Sequence, residues 1–408
     1  MSNFVDEKLI LSKIKIRKRK LTSTYQNLKL TMGKYIMKKS LLALAVVAAA
    51  TSANAATVYD KDGTSLAVGG RVQAVVYNGN AAGIAENDAG LVNSARLNIA
   101  GSTKINDSVS VFAFSEWNMA DGNTSGQSWG DSINTREQYV GADYGDFGKI
   151  LGGKTYDAAN AVLAATDVFE DFGARLQGSI NSDRRTGMFR YVYDNNGIFG
   201  SVSYQTAADG SSVAGNNADV EGGFAAAAGY TFDNVVFGPL SFKAGYSYIK
   251  GQNDFSKTIV QFENSETFDN FKVISASIAW GSTDNGLYIG ALYNTQRVKQ
   301  RANDFVPSNS SNSDKKKGYE FVVGYTFDNG IGAFTGYNFV DVKTKEGSIN
   351  SDSEIYRRVP VYVNYAINDN FNIWGEAEFD ANSTTEKDHK AQHGETGTML
   401  SAGARYTF

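Results

Sequence analysis

Apolar and polar residues alternate along most of this chain in segments of about ten residues, the length and period of a tilted strand crossing a hydrocarbon layer. The clearest is Tyr319-Glu320-Phe321-Val322-Val323-Gly324-Tyr325-Thr326-Phe327, where Tyr319, Phe321, Val323, Tyr325 and Phe327 share one face. In Phe371-Asn372-Ile373-Trp374-Gly375-Glu376-Ala377-Glu378-Phe379, Glu376 and Glu378 lie opposite Phe371 and Phe379, so the second face is wet. The closing residues Met399 to Phe408 put Leu400, Ala402, Ala404, Tyr406 and Phe408 on one face and end on an aromatic carboxyl terminus. Each unpaired backbone group of an open strand would cost several kcal/mol in lipid, so a lipid-facing terminal strand implies a closed barrel.

Sixteen such segments begin near Leu66, Val92, Ser108, Asn134, Gly148, Arg184, Gly197, Glu221, Pro239, Asp269, Gly286, Lys317, Ile331, Ile355, Asn370 and Gly397. The even count places both termini on one side. Short joints rich in residues that accept positive φ (Asn106-Asp107, Gly145 to Gly148, Asn195-Asn196-Gly197, Asp328-Asn329-Gly330, Asn368-Asp369-Asn370) alternate with long polar ones at 120–133, 208–220, 298–316 and 381–396. Short turns on one rim and long loops on the other are the layout of a membrane barrel, with the turns toward the periplasm. A soluble lectin or propeller could supply similar strands. It would have no reason to gather Tyr230, Phe232, Tyr325, Phe327, Tyr406 and Phe408 beside the short turns, as an interfacial girdle requires. The pattern predicts an all-β fold, a sixteen-stranded antiparallel transmembrane β-barrel.

Two positions resist the alternation. Pro360, inside Val359-Pro360-Val361, lacks a ladder donor where a closed barrel has no edge, so a bulge or a lost ladder bond is expected there. Glu137 would face lipid if its neighbour Arg136 faces inward, which would call for a protein cover on that side.

The leading segment supports a membrane address. Met37-Lys38-Lys39-Ser40, an apolar run from Leu41 to Ala50 and Ala53-Asn54-Ala55 read as a secretory signal peptide over 37–55, too short to span a bilayer. Residues 1–36 read as a start-site artefact or an extended basic n-region, and 56–408 as the barrel domain. Without residues 1–55 the chain keeps 28 Lys/Arg and 41 Asp/Glu, a net charge of −13. So acidic a chain is a poor partner for nucleic acid. It has no cysteine, hence no disulfides and no thiolate chemistry. His389 and His393, the only histidines, fall in a polar terminal stretch without helical periodicity and read as solvated, so no metal site is expected. Asp60-Lys61-Asp62-Gly63 lacks the later ligands of a calcium loop and reads as a turn before the first strand. No G-x-S-x-G and no phosphate-cradling glycine loop occurs, so neither an enzyme nor a cofactor is expected.

Parity assigns candidate channel residues. With Val72, Ala74 and Val76 toward lipid, Arg71, Gln73 and Tyr77 face the lumen; with Leu97 and Ile99 outside, Arg96 and Asn98 go inside. A guanidinium is tolerated on that face because it is wet. Glu116 shares a face with Phe112 and Phe114 and is a candidate lumen acid for this arginine group.

These segments resemble the Gram-negative general porins. The pieces that carry the resemblance are Thr57-Val58-Tyr59-Asp60-Lys61-Asp62-Gly63, Val68-Gly69-Gly70-Arg71, Ala95-Arg96-Leu97 leading to Lys104-Ile105-Asn106-Asp107, and Asn134-Thr135-Arg136. They continue with Tyr144-Gly145-Asp146-Phe147-Gly148-Lys149, Gly153-Lys154-Thr155-Tyr156-Asp157-Ala158 and Arg405-Tyr406-Thr407-Phe408. Each is weak alone; in this order, across 56–408, they are strong.

The resemblance implies a homotrimeric outer-membrane channel for small hydrophilic solutes and ions, with outer-membrane lipid and lipopolysaccharide as its surroundings. It also implies that the third external connection, 157–183, folds into the barrel and forms a constriction. Arg71, Arg96, Arg136 and one of Arg184 or Arg185 fall on the family's basic wall positions. Thr166-Asp167-Val168-Phe169-Glu170-Asp171-Phe172-Gly173 looks like the acidic loop tip. There Glu170 replaces the family's proline, Asp171 matches its acid, and Asp167 is a further candidate. Arginines facing carboxylates across a narrow aqueous gap would focus a transverse field. The acidic mature chain adds an expectation of mild cation preference. The alternatives are a porin that prefers one solute, and a barrel serving mainly as an adhesin or surface receptor.

Overall fold

The computed structural model describes residues 55–408 apart from 79–88, 125–126, 174–183, 214–215, 253–267, 301–312, 347–348, 351–353 and 383–396. The leading segments 1–36 and 37–55, Ala55 excepted, and both histidines lie outside the described residues.

The alternating segments form β1 (Ala56–Lys61), β2 (Thr64–Asn78), β3 (Ala89–Lys104), β4 (Ser110–Thr124), β5 (Gln127–Asp143), β6 (Lys149–Thr155), β7 (Arg185–Asn195), β8 (Ile198–Gln205), β9 (Ala208–Val213) and β10 (Asn216–Val235). They continue as β11 (Gly238–Gly251), β12 (Phe268–Gly281), β13 (Gly286–Gln300), β14 (Ser313–Thr326), β15 (Ile331–Glu346), β16 (Ile349–Asn350), β17 (Glu354–Asn368), β18 (Phe371–Asp380) and β19 (Met399–Thr407). Sixteen of them make a closed antiparallel barrel, which shuts where β19 pairs with β2 from Ser401↔Tyr77 to Thr407↔Arg71. The short β1, β9 and β16 are additions to this ring.

β1 completes the seam. It lies along β2 from Ala56↔Val68 to Lys61↔Thr64, the stretch that β19 does not reach. Phe408 exchanges both backbone hydrogen bonds with Gly70 at 2.8 and 2.9 Å, so the first and last strands meet end to end on β2 and no bare edge is left.

The two faces separate as the alternation predicts. Tyr319, Phe321, Val323, Tyr325 and Phe327 are all exposed on the convex face, as are Val72, Val76, Leu400, Tyr406 and Phe408. The other face carries buried polar groups, among them Asn98, Glu116, Ser247, Asn294, Glu320, Asn338, Glu376 and Glu378. The girdle residues beside the short turns are exposed and pair ring to ring, Tyr230 with Phe232 and Tyr325 with Phe327, each at 4.8 Å. At the β7–β8 turn, Asn196 and Gly197 take φ of 53° and 77°, the left-handed pair that matches strand twist in a two-residue hairpin.

Strand starts agree with the sequence reading best at the short turns. At the long-loop end the ladder runs further: β5 begins at Gln127, not near Asn134, β10 at Asn216, not Glu221, and β14 at Ser313, not Lys317. Beyond the hydrocarbon layer both faces of a strand are polar, so pairing continues without apolar alternation.

Pro360 behaves as its missing donor requires. It stays opposite Glu378 on β18, while the β15 pairing lapses between Thr335↔Val361 and Asn338↔Arg358 without a change of register. Glu137, by contrast, does not face lipid. The β4–β5 register steps from Glu116↔Glu137 to Trp117↔Thr135, so Arg136 is the extra residue of a β-bulge. The bulge breaks strict alternation and turns both Arg136 and Glu137 to the polar face. There Glu137 accepts a 2.8 Å hydrogen bond from Thr155 Oγ1, and it gives no reason to place protein over that side of the barrel.

Candidate functional site

The β2–β5 wall brings the predicted arginines together. Arg71 and Arg96 stand directly opposite each other on β2 and β3, which places their side chains on the same face. Arg96 Nε donates to Asn118 Oδ1 at 3.0 Å. Among the described residues neither Arg71 nor Arg96 is ion-paired with a carboxylate. Arg136, placed by the bulge, donates through Nε to Glu116 Oε1 at 2.6 Å, so the candidate lumen acid is partnered with this group.

Of the two arginines at the end of the long connection, Arg184 joins the group. Its Nε lies 3.7 Å from Glu137 Oε1 and its guanidinium sits 4.2 Å from the Tyr156 ring centroid. Arg185 is buried elsewhere, donating to Asp157 Oδ2 and to Gln205 Oε1, each at 2.8 Å. The neighbouring residues thus divide the work: Arg184 extends the basic wall, and Arg185 ties down the root of the connection.

Asp157 is the centre of that root. Its carboxylate also accepts from Ser247 Oγ at 2.7 Å and, as an N-cap, from the Ala159 N–H at 2.9 Å, which starts a 3₁₀ turn over Ala158–Ala165. The turn is apolar, and its Val162 and Leu163 belong to a buried cluster with Ile249, Val273 and Leu292. Its far end is held by Tyr288 OH on the Ala165 carbonyl at 2.8 Å and by Thr166 Oγ1 on Glu320 at 2.6 Å. Asp167 follows, solvent-exposed.

The tip Glu170-Asp171-Phe172 binds the opposite wall, β18, β19 and β2. Glu376 accepts from three successive backbone N–H groups, those of Glu170 and Asp171 at 2.9 Å and of Phe172 at 2.6 Å. Consecutive N–H groups aimed at one anion form the concave arrangement that favours a carboxylate. Asp171 in turn accepts from Tyr77 OH at 2.7 Å, Trp374 Nε1 at 2.8 Å and Ser401 Oγ at 2.6 Å. Glu170 forms a two-point ion pair with Arg405, whose Nη1 lies 2.7 Å from Oε1. Arg405 is held in place by Gln73 Oε1 at 2.9 and 3.0 Å and by stacking over Trp374. Phe172 packs edge-on against Tyr77 and Phe169 against Tyr362.

Two of the three predicted loop acids, Glu170 and Asp171, are therefore partnered to the β18–β19–β2 wall. Sequence reasoning missed three of the residues that hold them: Arg405, Glu376 and Trp374. Parity was a usable signal for the first. With Ala404, Tyr406 and Phe408 outward, Arg405 and Ser401 have to share the face of Gln73 and Tyr77. For Glu376 the wet face was legible, but a carboxylate that receives backbone N–H groups leaves no trace in side-chain pattern.

A family model described as Gram-negative porin matches residues 42–279 of this chain. Among curated proteins the chain is 28% identical to the putative outer membrane porin protein NmpC of Escherichia coli (strain K12), over 91% of this chain and all of that protein. It is also 28% identical to porin-like protein L of Photobacterium profundum, with the same coverage. Among solved structures, Salmonella typhi OmpF in complex with daunomycin superposes with a TM-score of 0.63 at 20% identity, covering 86% of this chain and 100% of that one. OmpT of Vibrio cholerae in its trimer form gives 0.61 at 15% identity, covering 85% and 100%. The closed barrel and these relatives together make the chain a member of the Gram-negative porin family, a multi-pass β-barrel of the outer membrane.

Proposed function

We propose that this porin is a passive diffusion channel for small hydrophilic solutes and ions, with connection 157–183 folded into the barrel as its constriction. The observation that carries this reading is the reach of one segment. Residues 157–173 bond to Ser203, Ser247, Tyr288 and Glu320 on one side, and to Tyr77, Trp374, Glu376, Ser401 and Arg405 on the other. These strands lie around the barrel from one another, and the side chains belong to its polar face. Bonds from one segment to all of them support a path through the interior.

In this reading Arg71, Arg96, Arg136 and Arg184 form the basic side of the gap. The loop tip forms the other side and is fixed in place by Glu376, so that it cannot drift in the field it faces. A hydrated solute exchanges water for fixed dipoles across a narrow aqueous gap, whereas an apolar solute loses hydration without compensation. The net charge of −13 on residues 56–408 supports a mild cation preference, with charges more than about 8 Å from the path screened at physiological salt.

Trimeric assembly is proposed from the family and from one feature of the convex face. A hollow of about 500 Å³, lined by Leu66, Ile99, Ala113, Trp117 and Val140 over the small floor of Gly101 and Gly152, suits the side chains of a second copy.

Planar-bilayer recording of the mature protein under a salt gradient tests the proposal. The expected result is an ohmic, long-lived open current with a reversal potential on the cation side. A solute that blocked the current at submillimolar concentration would favour a solute-preferring porin. A barrel that carried no current would contradict the channel reading, and a monomer on crosslinking in detergent would contradict the trimer.

A further inference from the structure

The apolar 3₁₀ turn at the start of connection 157–183 lies on a wall of very small residues. Ala158 and Ala159 are fully buried and cluster with Ala225 of β10. A Cβ added at Gly245 of β11 would stand 2.9 Å from Val162 Cγ2 and 3.3 Å from Ala159 Cα, and one added at Gly290 of β13 would overlap the Ala165 carbonyl oxygen. Neither glycine serves a special backbone conformation. Neither has a positive φ, and both sit inside regular ladders, Gly245 opposite Ala227 and Ser275, Gly290 opposite Ala279 and Val322. Glycine weakens the interior of a strand, and its use there is to let another part of the chain come close. At these two positions the 3₁₀ turn is what comes close.

This seat lies across from the basic wall. β11–β13 are halfway around the ring from β2–β4, which include the strands of Arg71 and Arg96. Residues three apart share a side of a 3₁₀ turn. Val162 and Ala165 are buried, whereas Ala164 and, one turn on, Asp167 are exposed. Lifting the turn from β11 and β13 therefore carries Ala164 and Asp167 toward the arginines. The sheet is the stiffer partner: β13 is hydrogen-bonded to both neighbours along its length, while the Ala165 carbonyl is held from the wall by Tyr288 OH. In a close-packed contact, volume added on the stiff side displaces the other. Restoring an ordinary contact of 3.4 Å or more at either glycine thus moves the turn, and the gap narrows.

We infer that Gly245 and Gly290 are size-determining residues of the channel, although neither lines its aqueous path. By adding nothing beyond backbone to the wall, they set how deeply the first half of connection 157–183 is seated, and so how large a solute passes. This rests on the reading of that connection as the constriction. It adds that the width opposite the arginines is fixed from behind the loop, by the absence of two side chains on β11 and β13, as well as by the bonds that hold the tip.

The test combines single-channel conductance of the full-length mature protein with liposome swelling in a monosaccharide and a disaccharide. Because pore diameter decides what passes, Gly290→Ala is expected to lower conductance by about a third and the disaccharide-to-monosaccharide rate ratio by about threefold. Gly245→Ala, with the smaller overlap, should move both in the same direction by less. Val162→Ala removes the methyl group that a Cβ at position 245 meets, so Gly245→Ala with Val162→Ala should return both readouts to native values. Gly200→Ala on β8, where an added Cβ meets nothing within 4 Å, should leave them native. Tyr288→Phe removes the hydrogen bond to Ala165 without adding volume and is expected to keep the native rate ratio. Native conductance and sieving in both glycine variants would overturn the inference, as would an equal change in Tyr288→Phe or a failure of Val162→Ala to rescue Gly245→Ala. Should Gly290→Ala fail to fold, Gly245→Ala and its rescue decide the matter. A native protein without current would contradict the channel reading and the size role with it, whereas native current with unchanged glycine variants sinks the seat alone.

Discussion

Replacing Arg71 and Arg96 together by alanine is expected to raise the cation-to-anion permeability ratio about tenfold. The two guanidinium groups face each other across β2 and β3, and no carboxylate is ion-paired with either among the described residues. Arg136, by comparison, is already balanced by Glu116 at 2.6 Å. A unit charge about 6 Å from a passing ion is worth about 0.7 kcal/mol at the dielectric of bulk water and roughly half that after screening at physiological salt; because it acts oppositely on cation and anion, two such charges shift the ratio by about the 1.4 kcal/mol of a tenfold change. Low-dielectric walls behind the gap would focus the field further. The reversal potential under a potassium chloride gradient measures the change, and single-channel conductance should rise as the gap widens. Arg136→Ala alone is expected to give a smaller shift, because it removes one positive charge where the double substitution removes two. If neither conductance nor reversal potential responds to the double substitution, the basic wall lies away from the ion path.

The second large effect is expected at Glu376. Its carboxylate receives three backbone N–H groups from the loop tip, and hydrogen bonds to a charged group contribute about 1.5–3 kcal/mol each. Glu376→Ala removes both acceptor oxygens, and with them all three hydrogen bonds, at once. The ion pair of Glu170 with Arg405 and the three donors to Asp171 remain, so the tip is expected to stay attached but to sample detached positions. Single-channel traces should then show frequent transitions between two current levels, where the native protein holds one. Adding Arg405→Ala should abolish the native level, since the tip would keep only Asp171. Quiet, native-like current in both variants would mean that the tip is held by its packing of Phe169 and Phe172 and not by Glu376.

How much of this was open to reading in the sequence depended on where each residue lies relative to the hydrocarbon layer. Between the aromatic girdle and the long loops, lipid on one side and polar groups on the other write a two-residue period into the chain, and there the sixteen strands and the lumenal parity of Arg71 and Arg96 were legible. Beyond the layer the period fades, so Gln127, Asn216 and Ser313 fall within polar joints by pattern although their backbones continue the ladder. The bulge at Arg136 defeated parity in a different way. One inserted residue puts two neighbouring charges on the same face, and nothing in Thr135-Arg136-Glu137 marks it. The partners of the loop tip were the hardest part. Glu376 and Arg405 meet Glu170 across more than 200 positions of sequence, and a contact of that separation follows only from barrel closure. The counter-charge of Glu170 lies outside what the resemblance implies, because Arg405 stands on the last strand.

Water lines one face of each strand and lipid the other, a division that the absence of cysteine from the chain makes directly testable. Single substitutions Arg96→Cys, Leu97→Cys and Ile99→Cys on β3 can be exposed to a charged, membrane-impermeant thiol reagent during planar-bilayer recording. Arg96→Cys is expected to react and lower the current in discrete steps, while Leu97→Cys and Ile99→Cys leave it unchanged. Reaction at Leu97→Cys or Ile99→Cys with protection of Arg96→Cys would contradict that division.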